Sequence, residues 1–344
     1  MIKLLKKIYN AKCFDMIRYP ISIFRGKQTA HSLKLSTAKT YIVCSHGIGD
    51  VVWMAAYFQG FSDANNLHNV VFICDAKHRG ILYQFYPQIS SIGLTTRKLI
   101  LLGIYADSCI CKNNLSTAIF PRLNRTAIME HEYSLLSHIG ADMDICYKFG
   151  CFSLPFQTKI AKPRALISHE KMEQIYKDNK ISDGRAVLLV PYVNSRLNIP
   201  IKIWKELAAK LAQKGITVYV NMPREDMGSS PYIHSLVLSL DEIASAAKRI
   251  GCVITGRCGL ADWLFLNECN MVILHSYMSY AKTESEKRPS RFGLTESFKE
   301  MQHRCGLTQK LEEFRVDISK QDNHLLDEIT AAAIAVLNQG GNMQ

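Results

Sequence analysis

The stretch Ile250–Ser276, IGCVITGRCGLADWLFLNECNMVILHS, decides the fold predicted for this chain. It contains a short apolar strand at Cys252–Thr255, a turn with glycine on both sides, a helix that opens at Leu260 and a second buried strand at Met271–Leu274. Strand, turn, helix and strand in this order form one repeat of a parallel α/β sheet. Ligands of such sheets bind at the carboxyl ends of strands, where helix N-termini offer N–H groups to anions. The turn is therefore predicted to be a phosphate site.

Arg257 lies in that turn and is the residue expected to contact a diphosphate. A guanidinium offers a planar pair of N–H groups that matches phosphate oxygens, and it stays charged at any working pH. Gly259 and Leu260 begin the helix whose N–H groups would face the phosphate. Asp262 is expected to orient the arginine or to bind a sugar hydroxyl. The alternative is a surface ion pair between Arg257 and Asp262 that has no ligand.

The same alternation of strand and helix extends over most of the chain and predicts two Rossmann-like domains. Thr40–Ser45 opens the first domain and is followed by a Gly-rich turn and an apolar helix. Residues 155–168 contain two prolines and three cations, which is typical of a linker. The predicted parts are a basic segment at 1–39, a first domain at 40–160 and a second domain at 161–344. Further strands are predicted at Val70–Cys74, Leu99–Leu102, Ala118–Phe120, Ala186–Pro191, Ile216–Asn221 and His234–Leu238, and a loop at 282–304.

Composition limits the class of protein. At 344 residues the chain exceeds what one hydrophobic core usually supports, and its 48% hydrophobic and 21% charged residues are typical of a globular protein. Its eleven cysteines form no CxxC pair and no Cys/His spacing of a zinc site, so buried reduced thiols in the cytoplasm are expected. Neither Gly-rich turn gives GxGxxG with an acid at the next strand end, which disfavours a dinucleotide oxidoreductase.

The first 39 residues are strongly basic. They hold nine Lys or Arg and one acid, and so carry +8 of the net charge of +12. No apolar run approaches the roughly 20 residues needed to span a bilayer, and the segment lacks the pattern of a secretory signal. Two alternatives remain: residues 1–35 lie on an anionic membrane surface, or they form a helix packed on the protein with a solvated basic face. Nucleic acid is a weaker explanation, because the basic excess does not continue into a binding module.

Three stretches resemble the GT-B glycosyltransferases, and more closely the lipopolysaccharide heptosyltransferase group, glycosyltransferase family 9. They are SHGIGDVVWMAA at Ser45–Ala56, VPYVNSRLNIPIKIWKELAAKLAQKGITVYV at Val190–Val220 and CVITGRCGLADWLFLNECNMVIL at Cys252–Leu274. The order and spacing of these motifs over residues 40–275 are more specific than any one of them. The resemblance implies an α/β protein of GT-B architecture, with an acceptor domain and a nucleotide-sugar donor domain that face a central cleft.

The resemblance also implies roles in the first domain. Asp50 matches the family's general base at the end of the first strand; the alternative is a simple cap of the helix beginning at Val51. His46 is a secondary candidate for contact with the acceptor or the diphosphate. Gly47 and Gly49 would let the loop approach the acceptor closely.

In the second domain, Asn194 and Arg196 follow the strand Ala186–Pro191 and are expected to contact phosphate or sugar, with an ordinary surface loop as the equal alternative. The chain departs from the family at the donor turn. There Arg257 and Asp262 stand where the family has an acid and a histidine. A donor other than heptose is therefore expected.

Together these features predict a metal-independent, inverting glycosyltransferase that uses a nucleotide-diphospho-sugar and needs no further cofactor. Its acceptor would be a lipopolysaccharide, O-antigen or capsule precursor at the cytoplasmic face of the bacterial membrane. Transfer needs a base for the acceptor hydroxyl and cationic or N–H groups for the leaving diphosphate, which Asp50 and the turn at Arg257 would supply. The alternative is a non-catalytic GT-B-like binding or assembly subunit, suggested by the replaced family residues.

Overall fold

A computed structural model describes the chain over residues 12–35, 39–44, 47–111, 141–181, 184–191, 198–222, 233–277, 297–320 and 322–338. Contacts divide the chain into two compact units, residues 1–135 with 148–158 and residues 136–147 with 159–344. The basic N-terminal segment belongs to the first unit. Each unit contains its own parallel sheet.

The first unit has three described strands in the order β1-β2-β3, all parallel. Valine and isoleucine dominate the first two strands and favour extended backbone on a buried surface. Val43 pairs with Ile73, so the turns that follow β1 and β2 leave the same edge of the sheet. The elements are α1 (Lys12–Ser32), β1 (Thr40–Val43), α2 (Ile48–Ala64), β2 (Val70–Asp75), the 3₁₀ turn Ala76–His78, α3 (Arg79–Phe85), β3 (Ser90–Leu94) and α4 (Thr96–Cys111).

Helix α1 packs against α4 through a glycine. A Cβ at Gly26 would overlap the Leu101 carbonyl oxygen and lie 2.5 Å from the Tyr105 Cβ. Further along α1, Ala30 packs against the core of the first sheet, as does Leu33 just beyond the helix. The described part of the basic segment thus contains a helix packed on the protein, which is one of the two predicted states, while a membrane role stays a prediction. No helix within the described ranges is long and apolar enough to cross a bilayer.

The second unit has six described strands, all parallel, in the order β6-β5-β4-β7-β8-β9. Successive strands are added outward from β4 on one side and from β7 on the other, which is the doubly wound order of a Rossmann domain. The strand β4, AVLLV, is buried at every position, as expected where helices cover both faces. The elements are α5 (Met143–Ile145), α6 (His169–Asp178), β4 (Ala186–Val190), α7 (Ile201–Gln213), β5 (Thr217–Val220), β6 (Ile233–Ser235), α8 (Leu240–Ile250), β7 (Gly251–Gly256), α9 (Gly259–Leu266), β8 (Met271–Tyr277), α10 (Phe298–Cys305), β9 (Leu311–Asp317) and α11 (Asn323–Asn338). The π-helical turn Cys146–Cys151 follows α5, and its residues from Lys148 onward belong to the first unit.

Two predicted elements differ in the structure. Leu99–Leu102, predicted as a strand, lies inside α4, because an apolar run of four residues suits a buried helix as well as a strand. The loop predicted at 282–304 is also wrong at its end, where α10 begins after Ser297. The Ser297 hydroxyl accepts the Glu300 N–H and caps that helix. The predicted strand Ala118–Phe120 lies outside the described residues. The predicted α/β class with two Rossmann-type units is confirmed.

Eight cysteines have described side chains; these eight are free thiols, and seven of them are buried. Burial raises the pKa of Cys252 and of Cys269 to about 12, so both are neutral at physiological pH. They act as small apolar side chains of the core. The predicted buried, unpaired thiols are confirmed for the described part of the chain.

Candidate functional site

The turn Arg257–Cys258 follows β7 at the point where the strand order reverses. β4 and β7 are neighbours at the centre of the sheet, and Val190 at the end of β4 pairs with Thr255. In doubly wound sheets, ligands bind in the crevice beyond the carboxyl ends of these two strands. The turn predicted to bind phosphate therefore occupies the usual ligand position of a Rossmann domain.

Arg257 forms a buried ion pair with Asp262. Its Nη1 donates to the Asp262 Oδ2 at 2.8 Å and to the Cys258 carbonyl oxygen at 3.3 Å. The two side chains are 6% and 2% exposed, so the ion pair exists but does not lie at the surface. The two residues that depart from the family pattern thus contact each other. The guanidinium fixes the turn against the first turn of α9, and its contact with a diphosphate stays a prediction.

Cys258 is the residue before the first turn of α9. Burial raises the pKa of its thiol, and the N–H groups of Ala261 and Leu260 only partly offset this effect. The thiol is therefore neutral and lies under the helix N-terminus. Gly259 and Leu260 are partly exposed, whereas residues 256–258 are buried. A ligand from solvent thus meets the helix start before it meets the guanidinium.

Helix α10 packs against the turn Arg257–Cys258. The Phe298 ring is fully buried, and the Arg257 guanidinium carbon lies 4.6 Å from its centroid. The same ring packs edge-to-face on Phe265 of α9 at 4.9 Å. A cation over an aromatic face is attracted by the ring quadrupole, so Phe298 holds the arginine as well as the helix. The sequence signal for α10 was Ser297 three residues before Glu300, a pattern typical of a helix start.

Glu313 on β9 anchors the beginning of α10. Its two carboxylate oxygens accept hydrogen bonds from the N–H groups of Phe298 and Lys299 at 2.9 and 3.0 Å. They also accept one from the Ser297 hydroxyl at 3.0 Å and contact the His275 Nε2 at 2.9 Å. Burial opposes ionisation, but the hydrogen bonds from His275 and from the two backbone N–H groups keep the pKa of Glu313 below its ordinary value. An internal carboxylate therefore occupies the N-terminus of α10.

Two aspartates of the segment 141–147 bind the other end of α10. Arg304 donates to both Asp144 oxygens at 2.8 Å and to Asp142 at 2.5 Å. Asp142 also accepts the Ser297 N–H at 3.1 Å. The hydrogen bonds to Asp144 and then to Asp142 raise the pKa of Arg304, so this charge is permanent. Sequence reasoning missed this cluster, because its members are about 160 residues apart.

The Gly-rich turn of the first unit places Asp50 in the first turn of α2. The helix begins at Ile48 and not at Val51, so Asp50 is its third residue and not the predicted cap before it. The Asp50 Oδ2 accepts the N–H of Gly47, the residue before the helix, at 2.9 Å. Gly49 is buried and Asp50 is half-buried, which leaves the carboxylate at the edge of the sheet next to solvent. Its role as a base stays a prediction.

His78 is a polar residue of the same sheet edge that sequence reasoning missed. It ends the 3₁₀ turn after β2, the strand beside β1, and it is 6% exposed. Burial and then the charge of Lys77 lower the pKa of the imidazole, while the carboxylates of Asp75 and Asp50 act against this shift. His78 is therefore neutral at pH 7 and within electrostatic reach of Asp50. Its Nδ1 has no hydrogen-bond partner in the described structure.

Three predicted site residues, His46, Asn194 and Arg196, lie outside the described residues. Within the described ranges, no group of three or more His, Cys, Asp or Glu side chains is placed to hold a metal ion.

Two parallel sheets, one of them a complete Rossmann sheet with its turn at the switch point, define an α/β protein with two Rossmann-type units. No protein-family model matches the sequence, and no curated protein matches it. Solved structures do match, and they cover both units.

The E. coli ADP-heptose lipopolysaccharide heptosyltransferase II is 11% identical, with a TM-score of 0.55 over 88% of this chain and 99% of that chain. A glycosyl transferase family 9 protein from Veillonella parvula is 13% identical, with a TM-score of 0.52 over 89% and 98%. The E. coli heptosyltransferase WaaC, solved with ADP, is 11% identical, with a TM-score of 0.51 over 88% and 99%. At this identity the likeness shows a shared fold, which is the GT-B fold of heptosyltransferases.

Proposed function

We propose that the chain is a glycosyltransferase that moves a sugar from a nucleotide-diphospho-sugar to a lipopolysaccharide, O-antigen or capsule precursor. The observation that carries this proposal is the Gly-flanked turn at the switch point of the second unit. The fold shared with two heptosyltransferases, one named for ADP-heptose and one solved with ADP, supports the same class of donor. Fold alone does not specify activity, so the proposal rests on the residues of the two turns.

The donor diphosphate would lie against the start of α9. Gly259 and Leu260 are the partly exposed residues there. The Leu260 N–H contacts the Cys258 thiol, so the Gly259 N–H and the helix dipole would face the anion. Arg257 lies beneath and adds positive charge, while Asp262 orients it. Asn194 and Arg196 follow β4, the strand next to β7, and would contact the phosphate or the sugar from that side.

Asp50 would act as the general base of an inverting transfer without a metal. It takes the proton of the acceptor hydroxyl while the hydroxyl oxygen bonds to the anomeric carbon of the donor. The bond from that carbon to the diphosphate oxygen breaks on the opposite face, and the nucleoside diphosphate leaves with the electron pair. Gly47 and Gly49 would let the acceptor approach, and His46 is a secondary contact.

The sugar is proposed to differ from heptose. Arg257 and Asp262 replace an acid and a histidine of the heptosyltransferase pattern, and their buried contact removes both groups from the surface of the turn. The enzyme would work in the cytoplasm, at the inner face of the bacterial membrane. A lipid-carried acceptor would fit a peripheral membrane protein.

One observation favours a second candidate, a non-catalytic binding or assembly subunit. The guanidinium and the carboxylate at the donor turn are paired with each other at 2.8 Å, as they would be in a site that no longer binds a donor. Such a subunit would have the same fold but no glycosyl-transfer activity.

A thermal-shift panel tests both candidates. UDP-, GDP-, ADP-, CMP- and dTDP-sugars are added to the purified protein at about 100 times a micromolar Kd. A specific donor raises the free energy of unfolding by about 2.7 kcal/mol at that excess. The sugar that shifts the transition is then incubated with a lipid-linked acceptor, and product is measured by mass spectrometry. Absence of any shift contradicts the donor site, whereas a shift without product in the presence of several acceptors favours the binding subunit.

A further inference from the structure

The outer side of α1 exposes large apolar side chains. Phe24 is 60% exposed and Ile21 is 46% exposed. They are three residues apart, so they share one face of the helix. Gly26, which contacts α4, is two residues from Phe24 and therefore about 200° away around the helix. The exposed apolar face points away from the helix that α1 packs on.

The close packing of α1 prevents this face from turning inward. Any rotation would carry Gly26 away from the Leu101 carbonyl oxygen and drive a larger side chain into that contact. The chain beyond it is also held, because Ala30 and Leu33 pack on the core of the first sheet. Exposure of Ile21 and Phe24 is therefore a property of the folded unit.

Basic residues flank the apolar face. Arg25 and Lys27 are exposed on α1, one and three residues from Phe24. Asp15 is the single acid among the first 39 residues, against nine Lys or Arg. No carboxylate of that segment other than Asp15 can neutralise this surface.

We propose that the outer face of α1, defined by Ile21, Phe24, Arg25 and Lys27, docks the protein on an anionic lipid surface. Apolar side chains enter the boundary between headgroups and acyl chains, while cations beside them meet anionic headgroups. A second copy of the chain fits less well, because it would bring two strongly positive segments together. The inference deepens the membrane part of the proposed function by naming the residues that make the contact.

Vesicle sedimentation of the full chain tests this face. The native protein is mixed with phosphatidylcholine vesicles that either contain or lack phosphatidylglycerol. It should bind the anionic vesicles and dissociate as salt is raised. Ile21→Ser with Phe24→Ser should weaken partition by roughly tenfold or more, from the lost apolar burial. Arg25→Gln with Lys27→Gln should weaken it by about 30-fold, at about fivefold for each charge.

Val237→Ser is the matched control, because Val237 is 65% exposed but lies in the second unit. It should bind vesicles like the native protein, and all variants should keep the native circular dichroism spectrum. The inference is overturned if the native protein does not prefer anionic vesicles, or if Ile21→Ser with Phe24→Ser binds them as well as native protein does. It is also overturned if the native protein is a dimer in the absence of lipid and that variant is a monomer. The assay contains no nucleotide sugar, so its outcome is separate from that of the proposed transfer.

Discussion

Removal of one partner of the Arg257–Asp262 pair is predicted to destabilise the second unit strongly. Asp262→Ala leaves a guanidinium that is 6% exposed without its carboxylate. At the observed 2.8 Å, two unit charges attract by ~6 kcal/mol in an effective dielectric of about 20. The net loss is smaller, about 3–5 kcal/mol, because it is set by the desolvation of the charge that remains. This is a large fraction of the stability of a typical domain, about 5–15 kcal/mol.

Replacement of both charged residues removes the desolvation cost of the two charges together with their mutual attraction. Arg257→Met combined with Asp262→Leu leaves no charge in the interior and keeps apolar volume beside the Phe298 ring. Well-packed apolar substitutes for buried pairs are often neutral or stabilising, so the double variant should lie within about 1 kcal/mol of the native protein or above it. A double variant that is more stable than Asp262→Ala would show that the loss in the single variant comes from the unpaired buried charge.

Urea denaturation followed by tryptophan fluorescence measures these free energies, since Trp263 is fully buried on α9. The single variant should also melt about 6–20 °C lower, at about 2–4 °C per kcal/mol for a unit of this size. The control is Glu312→Ala, which breaks the exposed pair with Lys299 and should cost less than about 1 kcal/mol. A loss below about 1 kcal/mol for Asp262→Ala would refute the reasoning, because it would mean that the charges are solvated.

Three further changes test other parts of the molecule. Asp50→Asn keeps an oxygen for the Gly47 N–H but cannot take a proton, so stability should change by less than about 1 kcal/mol while transfer falls by about 10²–10⁴. Gly26→Ala places a Cβ against the Leu101 carbonyl oxygen and should cost about 1–3 kcal/mol in urea denaturation. The pKa of Glu313 is lowered in the folded protein, so its stabilising effect is complete above its ordinary value of 4.5 and is lost as the pH falls below it. The difference in unfolding free energy between native protein and Glu313→Gln should therefore shrink on acidification.

Each of these changes has a matched control and a contradicting outcome. Asp63 lies on the same helix as Asp50, so Asp63→Asn is the control and should leave transfer unchanged. Full transfer by Asp50→Asn would exclude a base at that position. A Cβ at Gly80 would have no atom within 4 Å, so Gly80→Ala is the control and should not lower the unfolding free energy. The close helix packing is contradicted if Gly26→Ala does not lower it either. Glu312→Gln changes an exposed carboxylate and is the control for Glu313→Gln. If the loss of unfolding free energy in Glu313→Gln is the same at every pH, hydrogen bonds do not lower the pKa of Glu313.

The central stretch shows how far local pattern reaches. Its strands were predictable within three residues, because apolar runs between glycines leave few other structures. The predicted helix start at Leu260 differs from the observed start at Gly259 by one residue. By contrast, the short apolar run Leu99–Leu102 gave the wrong element, since four residues contain too little of either period to separate helix from strand.

The sequence by itself determined the α/β class and the place of both Gly-rich turns, because these depend on neighbours in the chain. It did not predict the strands Ser90–Leu94 and Leu311–Asp317. Only the tertiary structure decided which way the charges face. Arg257 is buried because Phe298, forty-one residues later, covers it, and α10 is in place because Glu313 and Asp142 hold its first turn. Whether a guanidinium meets solvent or an aromatic ring is set by segments far away in sequence, and burial then sets its electrostatic energy.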